Sequence, residues 1–310
     1  KLGSPHKYQV EKLLSAIYSD TNTPEVDKKL LQAFSTEHPD VDALGIAIPA
    51  NFLGGLFLLL SAAAQGTGRW RGWPTSDWLR LLAASTATFA LGFLLLYEAV
   101  ALIGSSKATL LGRLEVIFVV GLAVLFLGER WTRRHWLASG VALTGAIFVN
   151  FDPDAFDLQF GRGESLTLLA VFTYAIGIVL LKTLVDRQDG LLVTGFGLLL
   201  GAAVLTLFGL YEGMAISVLR VADGWTALVL LVRGLLLGIS WVTYNIAMRH
   251  LGASRCSVLF LSVVCFTVLL QLVIDVLAPG LGLRVPDNLF TALLGGVIIG
   301  ASVFLISREK

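Results

Sequence analysis

The sequence predicts an all-α polytopic membrane protein, a helical bundle of about nine transmembrane helices formed by two inverted repeats. Composition is the first of three observations that predict it. Of 310 residues, 56% are hydrophobic and 15% are charged, whereas soluble domains have about 45–50% and about 25%. The mean hydropathy of +0.80 agrees. Apolar runs of spanning length and an internal repeat are the other two observations.

Nine apolar runs divide the chain, near 43–64, 78–102, 108–126, 135–151, 165–185, 190–212, 225–249, 254–275 and 286–306. A helix needs about 20 mainly apolar residues to cross roughly 30 Å of hydrocarbon, and these runs have about that length. Their short connections carry glycine, proline and charged residues, which break helices. A transmembrane β-barrel is excluded because its strands would alternate and be about ten residues long.

Residues 1–42 differ in composition, because seven acidic residues oppose five lysines and no run approaches spanning length. Two short amphipathic patterns, beginning at Val10 and Val26, predict helices on the surface of the bundle. A partly ordered tail is an alternative interpretation of residues 1–42 that the sequence supports equally well. Because the first residue is Lys1 and no signal peptide is evident, we expect the start of the natural chain to be absent.

Positive residues predict the orientation, since they concentrate on the cytoplasmic side of a membrane protein. Counting on alternate sides of the spans, one side carries twelve, namely Arg69, Arg71, Arg80, Arg130, Arg133, Arg134, Lys182, Arg187, Arg249, Arg255, Arg308 and Lys310. The other carries four: Lys107, Arg162, Arg220 and Arg284. We therefore predict a multi-pass protein of the plasma or inner membrane, with a cytoplasmic carboxyl terminus and with residues 1–42 outside.

A shift of about 148 positions brings Ile103-Gly-Ser-Ser-Lys-Ala onto Leu251-Gly-Ala-Ser-Arg-Cys. An odd number of spans separates the two turns, so the repeat is inverted, as in carriers whose solute site lies between two halves. Residues 43–151 form a first repeat of four spans, and 165–306 a second of five. The span at 165–185 has no counterpart. We expect a five-plus-five architecture whose first helix is lost or lies upstream.

Several segments resemble the EamA-type permeases of the drug/metabolite transporter superfamily across residues 43–306. They are Tyr97-Glu-Ala-Val-Ala-Leu-Ile-Gly-Ser-Ser-Lys-Ala, Leu114-Glu-Val-Ile-Phe, Leu127-Gly-Glu-Arg-Trp-Thr, and then Gly140 and Gly145. Val116 stands where the family usually has proline, and the first of ten family helices is missing. The resemblance implies a carrier of small metabolites, often an exporter of amino acids or related compounds.

Four charged residues lie within apolar runs: Glu98, Arg113, Glu115 and Arg233. Each costs roughly 2.5–3.5 kcal/mol to insert, so we expect paired side chains facing the bundle interior. Arg113 and Glu115 point about 200° apart on a helix, which predicts the pairs Glu115–Arg233 or Glu98–Arg113. In the functional interpretation Arg113 or Arg233 binds an anionic solute group while Glu115 or Glu98 exchanges protons. In the alternative, static ion pairs fix helix packing.

Polar and aromatic residues predicted to line a solute cavity are Asn51, Tyr97, Tyr174, Trp241, Tyr244 and Asn245. Trp241 and Tyr244 are three apart and share one helix face, which suits an uncharged or zwitterionic organic solute. Tyr97 and Tyr244 have an alternative, interfacial interpretation. Glu129 is adjacent to three arginines, which favours a structural ion pair. Glycines four residues apart, at 197/201, 234/238 and 296/300, predict close helix approach.

No cofactor or metal is expected. Cys256 and Cys265 lie nine apart on opposite helix faces, and no Gly-Lys-Ser/Thr loop for ATP is present. An intramembrane enzyme is disfavoured because the spans carry no close aspartate pair and no Gly-x-Ser-x-Gly elbow. A net charge of +1 gives no reason to expect a nucleic-acid partner.

The predicted function is secondary transport of a small-molecule solute across the lipid bilayer by alternating access, in which two halves rock about a midplane site. Two alternatives remain open at this point. One is a nucleotide-sugar or sugar-phosphate antiporter of the same superfamily, which would need more cations than Arg113 and Arg233. The other is a non-transporting membrane scaffold. A homo-oligomer is also left open.

Overall fold

The computed structural model describes residues 43–66, 70–103, 105–150, 160–211, 224–263, 266 and 289–307. The helices in these ranges are α1 (Ala43–Ala64), α2 (Thr75–Ile103), α3 (Ser105–Gly112), α4 (Glu115–Leu122), α5 (Arg133–Asn150), α6 (Arg162–Val185), α7 (Gly190–Tyr211), α8 (Gly224–Leu251), α9 (Ala253–Phe260) and α10 (Leu289–Ser307). The described ranges contain no strand. The predictions for residues 1–42, and for most of the span at 254–275, lie outside these ranges.

Six described segments are long and apolar enough to cross a membrane: α1, α2, Leu110–Leu127, α6, α7 and α8. Many of their large apolar side chains face outward; Leu125 and Phe126, for example, are 77% and 74% exposed. Helix α5, of 18 residues, is not among the six, and its first turn is polar. The chain is therefore an all-α, multi-pass membrane protein, as the sequence predicts.

Two spans contain π-helical turns, Thr86–Leu91 within α2 and Ala123–Leu127 after α4. In the first, the Gly92 N–H donates to the carbonyl of Ala87, five residues earlier. This wider turn carries Phe89, which packs against Gly201 of α7 where a side chain would clash. Such turns are frequent at functional sites.

The repeat is visible in the helix bounds. Ser105 and Gly112, the ends of α3, lie 148 positions before Ala253 and Phe260, the ends of α9. Helix α1 packs against its counterpart α7, and α5 packs against its counterpart α10. Contacts of Gly55 with Gly195, and of Leu44 with Gly209, show that α1 and α7 run antiparallel. Antiparallel counterparts are what an inverted repeat requires.

Helix α6 packs mainly against α2, α3 and α4, although it belongs to the second repeat by sequence. Helices α8 and α9 pack against each other and contact α4 through α9. The described helices thus include two packing units, one of α2, α3, α4 and α6 and the other of α8 and α9; α1 packs against both α8 and α7, and α7 also packs against α2. These units differ from the two sequence repeats.

Glycines bring several helices close together, as predicted for two of the three pairs. Gly234 and Gly238 of α8 contact the backbone of Gly54 in α1, and Gly197 and Gly201 contact Phe89. Gly300 does not follow the prediction, because a Cβ there would meet no atom within 4 Å. It lies on an exposed part of α10.

Candidate functional site

The third span, Leu110–Leu127, is interrupted near its start by one tight turn, here called the break. Helix α3 ends at Gly112 and α4 begins at Glu115. Between them the N–H groups of Arg113 and Leu114 donate to carbonyls three residues back, at 3.2 and 3.0 Å, instead of four. A Cβ on Gly112 would meet no atom within 4 Å, so the backbone at the break borders open space. A mid-helix stretch of such i→i−3 hydrogen bonds often marks a functional hinge.

The break carries two opposite charges inside an apolar span. Arg113 is buried, with 5% of its surface exposed, and Glu115 is half-buried at the first position of α4. A carboxylate at a helix N-terminus is stabilised by the helix dipole. Arg113 lies about 12 Å along the span from Ser105, at about 1.5 Å per residue. Both charges therefore lie well below the membrane surface.

An aromatic face on α8 packs in the same apolar cluster as side chains of α4. The rings of Trp241 and Tyr244 are 5.8 Å apart, and Trp241 meets Phe89 of α2 edge-on at 4.8 Å. The Tyr244 hydroxyl is 3.4 Å from Ser257 Oγ on α9 and lies within electrostatic range of Glu115. The candidate site therefore joins α2, α4, α8 and α9 through Phe89, Glu115, Trp241, Tyr244 and Ser257.

Other predicted residues occupy separate positions. Tyr174 of α6 packs on Gly92 of α2, where a Cβ would lie 3.0 Å from the ring. Tyr97 is half-buried late in α2, and Asn51 is buried in α1. Arg233 lies eleven residues before Tyr244 on the same face of α8, about 16 Å away along the helix. Its Nε is buried.

Glu98 does not pair with Arg113 as proposed. It forms an ion pair with Arg162 at the start of α6, with 50% and 75% of the two side chains exposed. Lys107 and the buried Glu164 pair nearby. Glu98 lies near the end of α2, and its side chain reaches the residues that open α6. This group defines one end of the bundle, the Glu164 end.

Asn245 does not face the aromatic surface. It is fully buried, and its Nδ2 donates to Thr194 Oγ1 of α7 at 2.7 Å. One residue corresponds to about 100° of helix rotation, so Asn245 points away from the direction of Tyr244. Its role in the structure is to connect α8 to α7.

Glu129 makes a contact that the sequence does not predict. Its two carboxylate oxygens accept hydrogen bonds from the N–H groups of Ala253 and Ser254, at 2.7 and 3.1 Å. The structural role expected for Glu129 thus takes the form of a cap on α9, made through both oxygens. Gly252, with φ +90°, precedes α9, and a Cβ there would lie 2.9 Å from the carboxylate. We call this contact between the two packing units the Glu129 clasp.

Further polar contacts lie at the same end, here called the Glu129 end. Lys182 pairs with Asp186 at 2.5 Å and donates to the carbonyl of Arg249 at 3.4 Å. Gln188 donates to Asp77 of α2 at 2.9 Å. Together with the Glu129 clasp, these contacts hold α6 and α2 against the end of α8.

Residues 37–151 and, separately, residues 161–278 match the profile of the EamA-like transporter family. The chain belongs to the EamA-like transporter family. The double match places one family unit on each sequence repeat. An uncharacterized transporter of Methanothermobacter thermautotrophicus is 23% identical over 238 residues, which cover 74% of this chain. The matched region spans 65% of that relative's length.

A solved crystal structure has the same fold as this EamA-like chain. It superposes with a TM-score of 0.71 at 16% sequence identity and covers 97% of this chain and 98% of the other. At that identity the likeness describes the fold alone. Within the described residues, no group of three or more histidine, cysteine or acidic residues could hold a metal ion.

Sequence reasoning missed Phe89, Ser257 and the helix break in this EamA-like site. Gly112 next to a charged residue was a usable signal for the break. Ser257 follows the repeated turn at Gly252 by five residues, so the repeat pointed toward it. Phe89 had no signal, because nothing in the local pattern predicts a π-helical turn.

Proposed function

We propose that this EamA-like protein carries a small organic solute across the membrane by alternating access, with the solute bound between the break in the third span and the aromatic face of α8. The resemblance to exporters supports outward movement of an amino acid or a related compound. The family membership and the transporter named among its relatives support transport in general.

The observation that carries the proposal is the position of the break. It places the buried Arg113 and the half-buried Glu115 inside an apolar span, next to Gly112, whose backbone borders open space. It also lies where the unit of α2, α3, α4 and α6 meets the unit of α8 and α9. A solute bound there contacts both units, so its binding energy can bias their relative position.

Each residue has a proposed role. An anionic group of the solute is oriented by Arg113 at the break or by Arg233 on α8. Trp241 and Tyr244 contact its apolar part, and the Ser257 oxygen, whose hydrogen is donated to the Ala253 carbonyl, accepts a hydrogen bond. The Glu115 carboxylate takes up and releases a proton through the solute path. Glu98 is left out of this role because it is half exposed and paired with Arg162.

The test begins with a thermal-shift screen of amino acids, amines, nucleosides and sugar phosphates on the purified protein. The solute that stabilises it is then followed into proteoliposomes under an imposed pH gradient. We expect Arg113→Gln to reduce uptake by about tenfold or more, since a hydrogen bond to a charged group contributes about 1.5–3 kcal/mol. Glu115→Gln should remove the dependence on the pH gradient.

Glu98→Gln is the matched control, because it removes a carboxylate from the same repeat outside the proposed site. It should leave uptake within about twofold of the unmodified protein. Unchanged gradient-dependent uptake in Glu115→Gln would refute proton coupling at that residue. A protein that binds and moves none of the four solute classes would contradict the carrier proposal itself.

A further inference from the structure

A shallow groove of about 320 Å³ lies on the outer face of α5, away from the candidate solute site. Its lining is almost wholly apolar and consists of Trp136, Leu137, Gly140, Val141, Thr144 and Ile298, the last from α10. Gly140 keeps the groove open, since a Cβ there would meet no atom within 4 Å. The Thr144 hydroxyl already donates to the Gly140 carbonyl at 2.8 Å. The groove therefore suits a hydrocarbon chain.

Arg133 heads the helix face that forms the groove. It lies three and four residues before Trp136 and Leu137, which is the spacing of neighbours on one side of a helix. From Arg133 to Thr144 the helix rises about 16 Å, close to half of the roughly 30 Å hydrocarbon thickness. The length of this helix face thus matches the thickness of about one leaflet, and Arg133 places a cation at one end of it.

Among the residues that the structure describes, nothing neutralises the charge at this head. Arg130 and Arg133 are exposed, and no ion pair among the described residues involves either of them. The acid nearest in sequence, Glu129, gives both oxygens to α9. Trp131 and Trp136 pack edge-on at 5.3 Å beside the arginines, as aromatic residues do at membrane interfaces.

We propose that the outer face of α5 is a binding site for one anionic phospholipid, with the phosphate at Arg133 and Arg130 and an acyl chain in the groove from Trp136 to Thr144. The arginines select the negative head group, because cationic clusters next to a membrane attract anionic lipid. The groove fixes the chain by shape. This site is separate from the proposed solute path and does not depend on transport.

The protein is reconstituted in vesicles of equal parts phosphatidylglycerol and phosphatidylcholine, extracted in mild detergent and examined by native mass spectrometry. We expect one retained phosphatidylglycerol per chain, in preference to phosphatidylcholine. Arg133→Gln and Gly140→Leu should each reduce its retention by about fivefold, the effect of roughly 1 kcal/mol per arginine or of a filled groove. Arg133→Lys should retain most of it.

Two control variants should retain the lipid. Gly300→Leu adds the same side chain to another open glycine, about 200° around α10 from Ile298. Arg249→Gln removes one exposed charge from the same end of the bundle. Equal retention of both lipids, or equal retention in all variants, would overturn the proposal. Loss of a dimer instead of lipid in Gly140→Leu would also overturn it, because the groove would then belong to a second copy.

Discussion

At the scale of single residues, Glu129 shows how a helix end can take a carboxylate away from nearby cations. Three arginines follow it within five positions, yet its oxygens bind the N–H groups that open α9. Those N–H groups have no partner within their own helix, and the helix dipole favours a negative charge there. A bond that satisfies two such donors is worth more than an exposed ion pair.

Substitution of Glu129 should therefore loosen the Glu129 end. Glu129→Gln removes the charge and one acceptor, which we expect to cost about 1–2 kcal/mol. Cys256, on α9 and 5% exposed, is a natural reporter once Cys265 is replaced by serine. Its labelling by a maleimide should become about 5- to 30-fold faster, the factor that corresponds to that free energy.

Glu164→Gln is the control for this experiment, since it removes a buried carboxylate from the opposite end. It should leave the labelling of Cys256 unchanged. If Glu129→Gln labels no faster than the parent protein, the carboxylate does not hold the two packing units together.

At the scale of elements, the break in the third span forms without a proline in the first turn of α4. Val116 is the second residue of α4, and its N–H makes only a long bond, 3.4 Å, to the Arg113 carbonyl. Gly112 and the charges at Arg113 and Glu115 lie at the break instead. The backbone there is already arranged as a proline would require, because proline is tolerated in the first turn of a helix.

Val116→Pro should accordingly preserve the fold, with a melting temperature within about 2 °C of the parent in detergent. Val119→Pro is the matched comparison, three residues further into α4 at a fully buried position. There the lost hydrogen bond and the ring clash, about 3 kcal/mol, should lower melting by about 5 °C or more. Equal losses in the two variants would mean that α3 and α4 form one continuous helix.

The sequence predicted the elements better than their contacts. Continuous apolar runs specify spans because hydrocarbon thickness sets helix length, and the turns at Gly104 and Gly252 revealed the repeat. The partner of Glu129 lies 124 residues away and that of Asn245 lies 51 away. No local pattern carries such pairings. The break and the π-helical turns were missed because they depend on packing against α6, α7 and α8.

At the scale of the whole molecule, the packing divides the helices differently from the repeat. Helix α6 packs with α2, α3 and α4, while α8 and α9 form a second unit whose main further neighbour is α1. The Glu129 clasp joins these units at one end, and Arg113 and Glu115 lie further along the third span, on the first unit. In the proposed cycle the units separate at one end while they close at the other.

Two interspin distances test this cycle most directly. In a protein with Cys256 and Cys265 replaced by serine, nitroxides at Arg130 and Arg249 report on the Glu129 end, and nitroxides at Phe160 and Leu228 report on the other. All four positions are exposed. Pulsed electron resonance in nanodiscs should show that Glu129→Gln lengthens the first distance and shortens the second. If each of the two distances is the same in Glu129→Gln as in the parent protein, alternating access between these units is contradicted.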